Sequence, residues 1–162
     1  MANDEKLSID INLVKNLITT QFPQWAHLPI KPVQFSGWDN KTFHLGSDMS
    51  VRLPSHVDYA LQVEKEQYWL PKLGPHLPLP IAMPITMGKP SPEYPLSWSI
   101  YQWLEGDTAS LKRIDDLDKF GADLAHFLNA LHQCDATKGP IAGEHNFYRG
   151  GNLSIYEGET RE

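Results

Sequence analysis

The sequence predicts an α+β fold: an antiparallel sheet of short strands with one embedded helix, followed by a helical segment. Three observations point there. Two alternating segments flank Gly46-Ser47-Asp48 and read as a β-hairpin. Helical periodicity then returns over residues 59–73 and again, at greater length, over 115–134. The resulting order of helix, strand, hairpin, helix, strands and helix lacks the regular alternation of a doubly wound sheet. No internal repeat or low-complexity tract interrupts it.

From Asp10, the residues Leu13, Val14, Leu17 and Ile18 recur at helical spacing, so a first amphipathic helix is expected, capped by Asp10 or Ser8. Phe22-Pro23 ends it, because proline disfavours a helical conformation in the residue before it. Ile30 to Phe35 reads as a strand, placed at a sheet edge by Pro32, which has no N–H to give to a ladder. The turn Ser36-Gly37-Trp38-Asp39-Asn40 follows, then strands Thr42–Leu45 and Met49–Leu53, with Pro54 as the stop.

Tyr59 to Leu73 is predicted helical, with Ala60, Val63, Leu70 and Leu73 on one stripe and Glu64, Lys65 and Gln67 off it. Gly74-Pro75 terminates that helix. Eight prolines between Pro71 and Pro95 make the next stretch extended and turn-rich, with short strands at Ile81–Thr86 and Ser97–Trp103. Over Asp115–Cys134, Leu117, Phe120, Leu124, Phe127, Leu128 and Leu131 hold one helical face, and Asp115 and Asp116 supply a cap and favourable N-terminal charge. Lys138 to Gly151 is a glycine-rich loop, and Leu153 to Glu162 begins another helix. The chain ends without a stop signal, so an interrupted domain is expected.

Composition narrows the function. The 162 residues, 41% hydrophobic and 21% charged, suit one domain, or a lobe with a short extension. A net charge of −6, with 14 scattered Lys and Arg, argues against a nucleic-acid partner. The lone Cys134 excludes an internal disulfide framework and a cysteine-based zinc site, and fits a reducing cytoplasmic compartment. Met1–Lys6 is polar with no apolar stretch behind it, which excludes a signal peptide, and no run suits a membrane span.

Three features carry candidate chemistry. In the turn Ser36–Asn40, a glycine lets backbone N–H groups approach an anion. Arg52 is the only cation of its strand, and alternation places it opposite Val51 and Leu53. Its planar fork of donors suits phosphate oxygens. Glu66 lies three residues beyond Val63 and four before Leu70, on the inward stripe, where a carboxylate needs a cation. Arg52 is its natural partner; Glu64, off the stripe, is the alternative. Taken singly, each has a plainer reading: an ordinary hairpin turn, a solvated arginine, a boundary glutamate.

Taken in order they are similar to a protein-kinase-like N-terminal lobe, in which a turn covers the phosphates and a strand cation pairs with a helix glutamate. Five ordered motifs make the resemblance specific. Gly37–Leu45 followed by Val51-Arg52-Leu53-Pro54 resembles the opening of the aminoglycoside phosphotransferase family. Glu64–Leu73 resembles its helix, and Ser99–Gly106 its strand and hinge. Leu124–His132 is similar to its L-A-x-x-L-x-x-L-H helix, and His145–Gly151 to a loop of one bacterial branch.

The resemblance implies a nucleotide-binding lobe with its hinge over residues 1–104, and the start of a helical C-terminal lobe over 105–162. It implies a phosphotransferase with an alcohol acceptor, using ATP or GTP with Mg2+. Ser36, Gly37, Trp38, Asp39 and Asn40 would close over the phosphates. Arg52, where the wider pattern has lysine, would pair with Glu66. The backbone of Gln102 and Leu104 would hydrogen-bond a purine, with Ile100 packing on it. The acceptor would be a small hydroxylated compound such as an aminoglycoside.

Family members catalyse with a later segment: H-x-D carries the base, an Asn five residues on binds metal, and a second Asp binds magnesium. Beyond the Leu124–His132 motif no histidine stands two places before an Asp, and no D-F-G or I-D-x-x-D occurs. Asp118-Lys119-Phe120-Gly121 is a helix face. No catalytic residue or metal ligand is therefore assigned, and the chain alone is expected to be inactive. The rival expectation is a non-catalytic binding or dimerisation module that self-associates through the apolar face of 115–134. Weaker candidates are set aside. His126 and His132 lie six apart, Arg149-Gly150-Gly151 occurs once in an acidic chain, and Trp69 and Trp103 suit core or hinge packing.

Overall fold

The computed structural model describes residues 7–34 and 36–160. The polar start of the chain, Phe35 at the end of the first expected strand, and the last two residues lie outside the described residues.

Helix α1 (Ile11–Gln21) starts where Asp10 accepts a hydrogen bond from the Leu13 N–H at 2.8 Å and stops at Phe22, ahead of Pro23. The sheet comprises β1 (Ile30–Pro32), β2 (Asn40–Leu45), β3 (Met49–Pro54), β4 (Pro84–Gly88) and β5 (Trp98–Gln102). Its order is β1-β2-β3-β5-β4, antiparallel throughout, with β1 at an edge as Pro32 requires. Helix α2 (Leu61–Leu73) connects β3 to β4, and α3 (Leu117–Gln133) follows β5. The described chain ends in α4 (Glu157–Thr160).

The elements follow the predicted order with shifted ends. β2 takes in Asn40, which pairs with Pro54. α2 begins two residues after Tyr59, because Val57–Tyr59 form a 3-10 turn capped by His56. β4 starts at Pro84 rather than Ile81 and runs on to Gly88, where its partner Trp98 begins β5. α3 starts after Asp116, whose carboxylate accepts from the Lys119 N–H at 2.8 Å.

Alternation divides the sheet into two faces. Phe43, Leu45, Val51, Leu53, Trp98 and Ile100 join Val14, Leu17 and Ile18 of α1 in one apolar core. The other face carries Thr42, Arg52 and Ser99 in one cross-strand row and His44, Ser50 and Tyr101 in the next. Polar residues of α2 meet this second face. The sheet thus keeps one dry side and one chemically equipped side.

By contact density the chain forms two units, Met1–His132 and Gln133–Glu162, and the lobe boundary expected at residue 104 falls within the first. In α3 the periodic stripe is real, but Leu117, Phe120, Leu124 and Leu128 are 42–55% exposed, and no described element packs broadly on them. The second unit is organised around Asn146, whose side chain accepts from the Gly143 N–H at 2.9 Å and donates to the Ile141 carbonyl at 3.1 Å. Beside it Phe147 and Tyr148 adopt left-handed backbone angles in succession.

Candidate functional site

The polar face is built around β3. Antiparallel pairing sets Arg52 opposite Thr42 on one side and Ser99 on the other, and α2 lays Glu66 over the row. Arg52 Nη1 lies 3.2 Å from Glu66 Oε2, with the two side chains 32% and 27% exposed. The alternative partner, Glu64, is exposed. The pairing predicted between strand cation and helix carboxylate is therefore present.

Three further residues complete the network. The Tyr101 hydroxyl donates to the same Glu66 Oε2 at 2.5 Å, and its ring centroid lies 5.0 Å from Arg52 Cζ. Gln67 Nε2 donates to Ser99 Oγ at 2.9 Å and to the Thr86 carbonyl at 3.1 Å, tying α2 to both β4 and β5. Sequence reasoning put Gln67 off the inward stripe and missed Tyr101 and Ser99. Their membership depends on the register between β3 and β5, which no local pattern encodes.

Burial pushes the Tyr101 hydroxyl above the ordinary tyrosine range, and the adjoining Glu66 adds to the rise while Ser99 and Arg52 oppose it. Tyr94, whose hydroxyl donates to the Pro54 carbonyl at 2.7 Å, is raised by burial as well. Both folded-state values exceed the unfolded one. Their contribution to stability is complete below the unfolded value of about 10 and is lost as pH climbs through the folded values. Urea midpoints are accordingly expected to fall above about pH 10, and to fall less steeply in Tyr94→Phe.

The turn expected to act as a flap is tied to this face. Ser36 Oγ donates to the Asn40 carbonyl at 2.9 Å and accepts from the Thr42 N–H at 3.1 Å. Ser55, just past β3, donates its N–H to the Asp39 carbonyl at 2.8 Å and bonds the Trp38 and Asp39 carbonyls through Oγ, each at 3.1 Å. A Cβ at Gly37 would meet nothing within 4 Å, so the fold itself does not demand glycine there. Trp38 stands 79% exposed at the tip.

On the same face lies a cleft of about 850 Å3, lined among others by Val33, Gln34, His44, Trp103, Lys112 and Arg113. His44 and Trp103 meet edge to face at 4.2 Å. Along β3, Arg52 sits between Pro54, paired with Asn40 of the turn, and Ser50, paired with His44 at the cleft. Turn, cation and cleft thus share one face of the sheet.

The hinge residues are placed less uniformly. The Gln102 N–H is already given to the Met83 carbonyl at 2.8 Å and that of Trp103 to the Asp48 carbonyl at 2.7 Å. Leu104 is 40% exposed and its N–H makes no backbone bond among the described residues. Ile100 is fully enclosed in the core on the α1 side, so the structure does not bring it to the face that holds Arg52. Strand alternation is the reason: Ser99 and Tyr101 take the polar side, and Ile100 must take the other.

Two fragments of the catalytic spelling do occur, away from where a catalytic segment would lie. His56-Val57-Asp58 spells H-x-D, but it forms the 3-10 turn before α2, with His56 Nδ1 3.1 Å from Asp58 Oδ2. Buried Val63 stands where the asparagine would be. Ile114-Asp115-Asp116-Leu117-Asp118 spells I-D-x-x-D, but it leads into α3, where Asp116 serves as a cap. Among the described residues no group of three His, Cys, Asp or Glu side chains could hold a metal ion.

Comparison with known proteins agrees with this architecture. The model of a phosphotransferase enzyme family (APH) matches residues 30–157. The GDP complex of wild-type aminoglycoside 2'-phosphotransferase-IIIa superposes with a TM-score of 0.72 at 22% identity, over 91% of this chain and 48% of that one. The GDP and kanamycin complex of APH(2")-IIia gives 0.68 at 22% identity, over 76% and 42%. The streptomycin–ATP ternary complex of APH(2")-IIa gives 0.55 at 16% identity, over 95% and 53%. The chain thus spans about half the length of the solved structures it matches. No curated protein matches it.

Proposed function

Since the chain belongs to the phosphotransferase enzyme family, we propose that it is the nucleotide-binding part of a cytoplasmic small-molecule kinase, which passes the γ-phosphoryl group of ATP or GTP to a substrate hydroxyl. One observation carries the reading: the Arg52–Glu66 pair lies between a tethered turn and a cleft on the same sheet face. The phosphates belong beside Arg52 under Ser36–Asn40. The purine belongs in the cleft by His44 and Trp103, within reach of the Leu104 N–H. Solved structures with this fold hold GDP, or ATP with streptomycin, which supports a nucleotide here and an aminoglycoside-like acceptor.

In phosphoryl transfer the acceptor oxygen bonds to the γ-phosphorus, the bond to the bridging oxygen breaks, and a base takes the hydroxyl proton. These 162 residues carry no H-x-D-x-x-x-x-N segment to supply that base. Glu66 is engaged by Arg52 and Tyr101, and no group of three metal-ligating side chains occurs among the described residues.

The expected result is binding without turnover. Saturating ATP or GTP should raise the thermal midpoint, with about 2.7 kcal/mol of added stability at a hundredfold excess over Kd. The corresponding nucleoside should do far less, and no phosphate should reach kanamycin in a radiolabel assay. Equal shifts with nucleoside and triphosphate would remove the phosphate role of Arg52, and measurable transfer would overturn the inactivity. The exposed stripe of α3 supports a second reading, a binding or dimerisation module. Self-association on sedimentation, with no response to either nucleotide, would favour it.

A further inference from the structure

We infer that Tyr101 is a positioning residue of the nucleotide site, holding Glu66 so that the Arg52 guanidinium stays loosely paired and free to turn toward a phosphate. The inference rests on the nucleotide reading given above.

The distances carry the argument. Charge-assisted contacts between arginine and carboxylate ordinarily close to about 2.7–2.9 Å and are often two-pronged. Here the guanidinium reaches Glu66 through Nη1 alone, at 3.2 Å, while the Tyr101 hydroxyl reaches the same Oε2 at 2.5 Å. One carboxylate oxygen thus takes two partners, a buried tyrosine hydroxyl and a single guanidinium nitrogen. An arginine has five N–H donors in its fork, and a single long contact leaves the others to meet an anion.

Tyr101 is also built to stay still. It is 1% exposed, in the middle of the sheet, paired with Ser50 on β3 and next to the Ser99–Gln67 link to α2. Its ring centroid lies 5.0 Å from Arg52 Cζ, a cation–π contact that uses none of the guanidinium's N–H donors. Arg52 and Glu66, each about a third exposed, have no comparable anchor of their own. With the hydroxyl gone, Glu66 is free to close on the guanidinium in a two-pronged pair. An incoming phosphate would then have to break that pair.

The test is a set of nucleotide titrations on the whole chain, using the better-bound of ATP and GTP. Tyr101→Phe keeps the ring and should weaken binding about fivefold, the worth of one hydrogen bond. In an Arg52→Ala background the same change should have no further effect, because Tyr101 acts through Arg52. An undiminished affinity in Tyr101→Phe overturns the inference, as does an equal fivefold loss in both backgrounds, which would mean a direct contact or a general loosening. Failure of the unmodified chain to bind either nucleotide instead removes the nucleotide reading, and the inference with it.

Discussion

Trp98→Ala is expected to lower folding stability by about 3–5 kcal/mol, the range for removing a large buried aromatic ring. Trp98 is fully buried at the start of β5, edge-on to Phe22 with ring centroids 5.5 Å apart. Phe22 closes α1, so the contact joins the helix to the sheet. The space could not refill easily, because the cross-strand partner is Gly88, which has no side chain to offer. That glycine is itself dictated by the tryptophan: a Cβ at position 88 would lie 2.0 Å from Trp98 Cε2. Gly88→Ala should therefore cost about 1–3 kcal/mol through overpacking against a ring that cannot move aside. Trp98→Phe should cost much less than alanine. The indole Nε1 is buried without a hydrogen-bond partner among the described residues, and phenylalanine removes that orphaned donor along with part of the ring. Urea unfolding of the three variants checks the order. A Trp98→Ala midpoint near that of the unmodified chain would show that the α1–sheet core does not depend on this ring.

Local grammar made much of the fold legible. Asp10 and Phe22-Pro23 fix both ends of α1 within a few residues, and the hairpin follows from alternation on either side of Gly46-Ser47-Asp48. Arg52 and Glu66 were readable because each needed only its own element's period, two for the strand and 3.6 for the helix. What failed needed the phase of one element against another. Ile100 and Tyr101 are adjacent in sequence and lie on opposite faces, and only the pairing of Ser50 with Tyr101 says which one joins Arg52. The expected start of β4 falls too early because the proline-rich stretch before it gives no alternation to follow, and the Met83 carbonyl enters only by accepting from Gln102. In α3 the period revealed an apolar stripe correctly, but a period names no partner, and the stripe lies largely exposed. Short catalytic strings were the least informative. His56-Val57-Asp58 and Ile114–Asp118 have the letters, yet both form helix starts.

Arg52→Ala should reduce nucleotide affinity by about ten- to a hundredfold, since a hydrogen bond to a charged group is worth about 1.5–3 kcal/mol. The same change should hardly affect folding. The Arg52 and Glu66 side chains keep about a third of their surface in solvent, and Glu66 retains the Tyr101 hydroxyl as a partner when the arginine is removed. This separation between binding and folding makes the variant informative. A residue that merely braced the sheet would lower both together, whereas a phosphate ligand lowers binding alone. Arg52→Lys should fall between, keeping the charge but losing the planar fork that can meet two oxygens at once. Salt gives an independent check, because an exposed charge–charge contact is screened within about 10 Å at 0.1 M ionic strength. The affinity of the unmodified chain should therefore decline with added salt more steeply than that of Arg52→Ala. If the alanine variant stays folded and binds ATP or GTP as tightly as the parent, the phosphates do not sit at Arg52, and the face shared by turn, cation and cleft has another use.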